Sequence, residues 1–199
     1  VAHAAEADGT AETLLSFEGL RPGLCVHVGG TDGEVLAQLA VAGEYHVHGL
    51  TPDRKRLQEI RGHLASKGLY GRVVVDHSPL EELPYPSNLA NVLVVEDFAD
   101  LREKGLTFKE VMRVVAPMSS ALVGNAPAEF EQIVARAGYE GAVISRKGLW
   151  TQIVKPWPEG MDEWPQPDHD PGCSSVSSDQ FVRPPNSVQW ITGYPGRHE

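Results

Sequence analysis

Leu24-Cys25-Val26-His27-Val28-Gly29-Gly30-Thr31-Asp32-Gly33 reads as an apolar strand running into a glycine-spaced turn, and Glu34 to about Ala42 then continues at helical spacing. A second strand follows at Tyr45 to Leu50, then Thr51-Pro52-Asp53 and a helix to about Ser66, with Leu57, Ile60 and Leu64 on one face. Val73-Val74-Val75 and Asn91 to Val95 read as strands three and four, separated by the turn-rich Leu83-Pro84-Tyr85-Pro86-Ser87-Asn88. A helix over Thr107 to Val115, a strand at Ser120 to Val123 and a helix over Ala128 to Ala137 precede a hairpin, Gly141 to Ser145 and Trp150 to Val154, turning at Lys147-Gly148. Upstream, Glu12 to Glu18 reads as a short lead helix ended by Gly19. Alternating helices and unbroken apolar strands predict a doubly wound α/β domain. Its seven-stranded sheet is mostly parallel, carries an antiparallel edge hairpin, and offers a ligand site at the carboxyl ends of the strands.

Composition narrows the function classes. The 199 residues carry 17 Lys plus Arg against 27 Asp plus Glu, a net charge of −10 that repels phosphate backbones and argues against nucleic acid. No apolar run approaches the roughly 20 residues of a membrane-spanning helix. All four Trp and eight of the fifteen Pro fall after residue 149, which divides the chain into a lead-in (1–11), a regular body (12–155) and an extended Pro/Trp-rich tail (156–199). Val1-Ala2-His3-Ala4-Ala5-Glu6-Ala7 has the small residues found around a signal-peptidase site, so a periplasmic or otherwise exported protein is one expectation. An Ala-rich lead-in without targeting, in a cytoplasmic protein, is the other. Cys25 and Cys173 have no spacing that suggests a disulfide framework or a redox pair, and read as packed or free thiols.

Three stretches carry a family resemblance: Val26 to Gly33, the Leu83-Pro84-Tyr85 turn ahead of Asn91-Val92-Leu93-Val94-Val95-Glu96-Asp97, and Glu110-Val111-Met112-Arg113-Val114-Val115-Ala116-Pro117. With the order of elements, they make residues 13–155 resemble the class I S-adenosylmethionine-dependent methyltransferases. The resemblance implies a Rossmann-like methyltransferase fold, S-adenosylmethionine as cofactor, and Gly29, Gly30, Thr31, Gly33, Thr51 and Glu96 as the positions that would hold it. The chain also departs from that family. Thr31 stands where the middle glycine of Gly-x-Gly-x-Gly is usual, Thr51 where an acid meets the ribose hydroxyls, Pro79 where an Asp meets the adenine amine, and Asn91 where strand four often has Asp. A charged hydrogen bond lost to a ligand costs about 1.5–3 kcal/mol, so two or three such losses turn a micromolar site into a millimolar one. A degenerate site in a pseudoenzyme is therefore the main expectation; the alternative is an active transferase acting on a small molecule, its lost contacts replaced by Asp53, Asp76 or backbone groups. Catalytic residues are not assigned. Glu96, Asp97 and His77 lie near strand ends and could act as bases, or simply solvate the sheet rim.

Residues 156–199 show no helix period. Following Lys147 to Pro156, the elements Asp162-Glu163-Trp164, His169-Asp170, Pro184-Pro185 and Val188-Gln189-Trp190 resemble the connector in large bacterial proteins where a methyltransferase-like domain precedes a PQQ-like (pyrroloquinoline-quinone-type) β-propeller. That resemblance implies an accessory role, with a β-propeller domain or subunit of a quinoprotein-like protein as partner through residues 156–199. It also implies a tail fixed by docking. No propeller repeat is present here, so no quinone cofactor is expected of these residues. Asp168-His169-Asp170 offers ligand types, but neighbours in an extended segment point to alternate sides, so no metal is expected there. His27, His46, His48 and His77 read as packed or solvated imidazoles, His46 and His48 sharing a strand face.

Overall fold

The computed structural model describes residues 10–30, 33–43, 45–139, 141–164, 166, 168–169 and 171–181. A helical turn over residues 10–15 leads into β1 (Gly23–Val28), α1 (Glu34–Ala42), β2 (Tyr45–Thr51), α2 (Arg54–Ser66), β3 (Val73–His77) and β4 (Ala90–Val95). Next come α3 (Phe98–Glu103), α4 (Phe108–Val114), β5 (Val115–Gly124), α5 (Phe130–Arg136), β6 (Val143–Lys147) and β7 (Trp150–Val154). The strands form one seven-stranded sheet in the order β3-β2-β1-β4-β5-β7-β6. Pairings are parallel from β3 across to β5, and β7 runs antiparallel to both β5 and β6. This is the expected doubly wound Rossmann-like sheet with its edge hairpin.

Strand one shows why the sheet is covered on both faces. Cys25 packs with Leu14, Phe17, Leu36, Leu39, Ile60 and Leu64 on the face of α1 and α2, whereas Val26 and Val28 pack with Phe98, Leu101, Phe108, Met112 and Phe130 on the face of α3 to α5. Alternate residues of a strand point to opposite faces, so an unbroken apolar run needs two cores. On the second face Phe98, Phe108 and Phe130 meet edge to face, at centroid distances of 5.3–6.4 Å. No helix among the described residues is long and apolar enough to cross a membrane.

Between β3 and β4 the chain forms a Pro-rich loop rather than a covering helix, and side chains hold it down. The Glu110 carboxylate accepts from Leu83 N–H at 2.7 Å, and Arg113 donates to the Tyr85 and Leu83 carbonyls at 2.7 and 3.1 Å. The Arg113 guanidinium, 2.6 Å from Glu110, holds that carboxyl below the usual range. Tyr85 Oη lies 2.7 Å from His48 Nδ1, and His48 Nε2 is 3.1 Å from Asp76 Oδ2. Arg61 on α2 donates from Nε and Nη2 to the Val75 carbonyl at 2.9 and 2.7 Å, and from Nη2 to Asp76 Oδ1 at 2.8 Å. At the far end of the loop, Lys155 Nζ donates to Asn88 Oδ1, Val115 O and Met112 O at 2.7, 2.7 and 2.5 Å. Burial lowers its ammonium from the ordinary 10.5 to about 8.

Several details differ from the sequence reading. The lead helix covers 10–15, not 12–18, because Phe17 turns in to pack beside Leu14. Strand five starts at Val115, five residues early, with an irregular register between Ala90 and Val92 and a positive φ of 60° at Met118. Helix α3 was not foreseen. Its six residues are too few for a clear period, although Asp97 caps it by accepting from Asp100 N–H at 3.1 Å.

The chain divides into two compact units between Pro156 and Trp157. In the second, Asp162 organises the described residues rather than any helix or strand. Its carboxylate accepts from Ser178 N–H (2.8 Å), Ser177 Oγ (2.9 Å), His169 Nε2 (2.7 Å) and Glu163 N–H (2.9 Å). These bonds, the Ser178 amide first, hold the Asp162 carboxyl far below the usual range. The tail thus carries an internal order that the docking expectation did not include. The opening residues 1–9 and Asp170, Pro184-Pro185 and Val188-Gln189-Trp190 of the connector elements lie outside the described residues.

Candidate functional site

The carboxyl ends of β1 and β2 open onto a cleft of about 250 Å³, lined by Gly29, Gly30, Thr51, Pro52, Asp53 and Arg56 on one side and by Asp100, Leu101 and Lys104 of α3 and its end on the other. It lies where an open α/β sheet presents its ligand site, beside the turn that leaves the first strand. Gly29 has φ 95°, and a Cβ there would sit 2.7 Å from Leu101 Cδ1. Gly30 lies over the buried His27 ring, which a Cβ would meet at 3.1 Å. Backbone, not side chain, therefore forms the floor of the cleft.

Thr51 is 2% exposed; its Oγ1 accepts from Asp53 N–H at 3.2 Å, and its carbonyl accepts from Ser78 N–H at 3.1 Å. Asp53 caps α2 by accepting from Lys55 N–H at 2.8 Å, with Arg56 3.8 Å from its other oxygen. The Lys55 amide, followed by Arg56, holds the Asp53 carboxyl below its ordinary value. Across the cleft Lys104 pairs with Asp100 at 2.6 Å.

Of the six residues expected to hold a cofactor, the cleft brings together Gly29, Gly30 and Thr51. Gly33 does not line it. With φ 85° it begins α1, and a Cβ there would press on Ile60 at 2.9 Å, so its glycine is needed for helix packing. Glu96 is also absent from the lining: its N–H donates to Val28 O at 3.1 Å, and its carbonyl lies directly against Gly124, where a Cβ would collide. Thr31 lies outside the described residues.

The neighbouring expectations resolve similarly. Asp53 reaches the cleft and Asp76 does not, being held by Arg61 and His48. Ser78 donates its hydroxyl to Pro79 O at 2.9 Å. Asn91 sits at the start of β4, away from the cleft, where Oδ1 accepts from Leu24 N–H at 2.9 Å and forces a glycine at Gly23. Asp97 caps α3 and accepts from Asn125 Nδ2 at 3.1 Å. Sequence reasoning missed Arg56, Asp100, Leu101 and Lys104; the run Arg54-Lys55-Arg56 beginning a helix was the available signal for the first. Among the described residues no three His, Cys, Asp or Glu converge as metal ligands, and His169 is held by Asp162.

A second opening of about 400 Å³ lies on the other side of α3, lined by Ala99, Arg102, Glu103, Pro127 and Glu129.

No family model and no curated protein matches this sequence. Solved structures do match in shape. A protein of Methanococcus maripaludis assigned to the S-adenosyl-L-methionine-dependent methyltransferases superposes with a TM-score of 0.65 at 17% identity, covering 75% of this chain and 85% of that one. An S-adenosylmethionine-dependent methyltransferase from Aquifex aeolicus gives 0.56 at 19% identity, over 76% of this chain and 96% of its own. The S-adenosylmethionine-dependent methyltransferase SibL, in its apo form, gives 0.60 at 18% identity, over 77% and 56%. With the strand order and the cleft position, these likenesses establish that the chain has the Rossmann-like fold of the class I S-adenosylmethionine-dependent methyltransferases.

Proposed function

We propose that this chain is a methyltransferase-fold domain whose ancestral cofactor cleft no longer holds S-adenosylmethionine tightly, and that it serves as an accessory rather than a catalytic module. The observation that carries this reading is Leu101, an apolar side chain of the cleft lining whose Cδ1 stands 2.7 Å from where a Cβ at Gly29 would be, so that it lies close against the start of the glycine turn. The remaining volume, about 250 Å³, falls below the roughly 300–1,000 Å³ of ordinary small-molecule sites. Thr51 offers a hydroxyl in place of a carboxylate, and Pro79 offers neither a carboxylate nor an amide proton. Methyl transfer is chiefly a matter of positioning an electrophilic carbon in line with a nucleophile, so a loosely held cofactor removes most of the rate.

The second reading, an active transferase on a small molecule, draws on Asp53, whose carboxylate lines the cleft two residues beyond Thr51. Calorimetric titration with S-adenosylmethionine and S-adenosylhomocysteine separates the two. The accessory reading expects no binding, or binding only at millimolar ligand; micromolar binding of either compound overturns it. The proposed β-propeller partner rests on the connector resemblance of residues 156–199, and is tested by asking whether this chain co-elutes with a purified PQQ-like β-propeller protein on a size-exclusion column. Separate elution at micromolar concentrations of both speaks against it.

A further inference from the structure

Between Lys155 and Arg183 the chain carries six carboxylates (Glu159, Asp162, Glu163, Asp168, Asp170 and Asp179), no Lys or Arg, and one imidazole, His169. Like charges at that density push a segment open. The described residues close on themselves instead, and they do so around one side chain. The Asp162 carboxylate draws in Ser178 N–H, Ser177 Oγ and His169 Nε2. The Asp162 N–H donates to Asp179 Oδ2 at 3.2 Å, and Gln180 N–H donates to Gly160 O at 2.9 Å. Residues 160–162 and 177–180 thereby form the neck of a loop over 163–176, and His169 reaches back from the middle of that loop to the neck. The closed form holds strained backbone. His169, Cys173 and Ser175 have φ of 71°, 54° and 50°, in the left-handed region that residues other than glycine seldom adopt. The His169–Asp162 pair is 2.7 Å long with side chains only 15% and 16% exposed, so salt screens it little. The Trp164 ring packs edge to face with the imidazole at a centroid distance of 4.8 Å.

We infer that residues 162–178 form a proton-operated latch, closed when the His169 ring is an imidazolium and loosened when the ring is neutral. In either state Nε2–H donates to Asp162; the imidazolium adds a charge–charge attraction that the neutral ring lacks. The sign follows from linkage: the extra stability of the closed loop is present on the acid side of the imidazole titration and is lost as pH rises through it. The other titratable groups around the pair are Glu163 next to Asp162, Asp179 at the neck, Asp168 and Asp170 on either side of His169 in sequence, and Cys173 in the loop. Carboxyl groups ordinarily titrate near about pH 4 and thiols near about 8.5, on either side of the imidazole range, so neither produces a change between them. Negative charge on those neighbours favours the same proton on His169. Opening releases the strained backbone and parts Trp164 from the imidazole.

The test is amide hydrogen exchange of the full chain from about pH 5.5 to about pH 7.5, corrected for the intrinsic pH dependence of exchange and read at the Ser178 and Glu163 N–H groups that Asp162 holds. Both amides are expected to lose protection by roughly three- to tenfold as pH rises, the difference between a charged and a neutral hydrogen bond. His169→Gln keeps an N–H donor without a titrating ring, and is expected to abolish the pH dependence. Asp162→Asn is expected to lower protection at Ser178 at both ends of the range, while amides in β4 and β5, which belong to the other compact unit, keep theirs. Protection at Ser178 that is constant across the range, that rises with pH, or whose pH dependence survives His169→Gln overturns the inference. A loss in Asp162→Asn that spreads to β4 and β5 overturns it as well, because the latch would then not be local.

Discussion

Replacing Lys155 by Met keeps an apolar stem of similar length and removes the ammonium that links the C-terminal end of α4 to Asn88. Lys155 is 5% exposed, so the change takes the donor from two buried carbonyls, Met112 O and Val115 O; the exposed Asn88 amide is rehydrated. An unsatisfied buried acceptor costs about 1–3 kcal/mol, giving a gross loss of about 2–6 kcal/mol. The ammonium also carries a desolvation cost. Lowering from 10.5 to about 8 makes the charged form less favourable in the folded chain by about 3 kcal/mol, which offsets part of the loss near neutral pH. The expected cost of Lys155→Met at pH 7 is therefore about 1 kcal/mol. Its pH dependence has a definite sign. Between pH 8 and 10.5 the unfolded chain binds the proton that the folded chain has released, so the Lys155 contribution grows as pH rises and is lost as pH falls through 8. Urea unfolding of wild type and variant at pH 7, 9 and 10.5 should show a gap widening by about 3 kcal/mol over that range. A variant as stable as wild type at pH 7, or a gap that narrows toward alkaline pH, refutes the reasoning.

The two cysteines should separate cleanly with a thiol reagent. Cys173 is exposed and should react at once, whereas Cys25, fully buried and pushed by burial to about 12, should react only as fast as the chain unfolds. Gly124→Ala drives a methyl group into the Glu96 carbonyl, a backbone atom that cannot swing aside, and should cost about 1–3 kcal/mol in a denaturant melt. A neutral result would mean that β5 can shift relative to β4. Arg113→Met breaks the hold on Leu83 and Tyr85 and should raise amide exchange at Leu83 before any global loss; unchanged exchange there would remove the clamp from the account.

Most of the fold was legible because the strands are apolar at both parities and the helices between them are amphipathic, a pattern that few architectures besides a covered parallel sheet satisfy. The misreadings have local causes. Phe98-Ala99-Asp100-Leu101-Arg102-Glu103 is too short for its period to show, so one whole wall of the cleft went unseen. Gly29 and Gly30 directly follow β1 and Thr51 ends β2, so the strand pattern itself points to their place at the cleft. Gly33 is ambiguous in sequence because a glycine at a helix start serves packing and ligand approach alike, and in the structure a Cβ there would press on Ile60. Asn91 was read at the start of its strand, where it stands, but a sequence position alone does not say that its amide oxygen is held by Leu24 N–H at the entry to the sheet. Asp76 had the right chemistry and the wrong neighbours, being claimed by Arg61 and His48.

Arg61 has a consequence beyond its pairing with Asp76. Strand β3 is the outer parallel strand of the sheet, and an outer strand ordinarily presents backbone groups on which a stray chain can add a further strand. Here the guanidinium doubly occupies the Val75 carbonyl, so an incoming strand would have to displace it and leave Asp76 without its cation. The same side chain that fastens α2 to the sheet therefore also ends it, and discourages one folded copy from templating aggregation of another at high concentration.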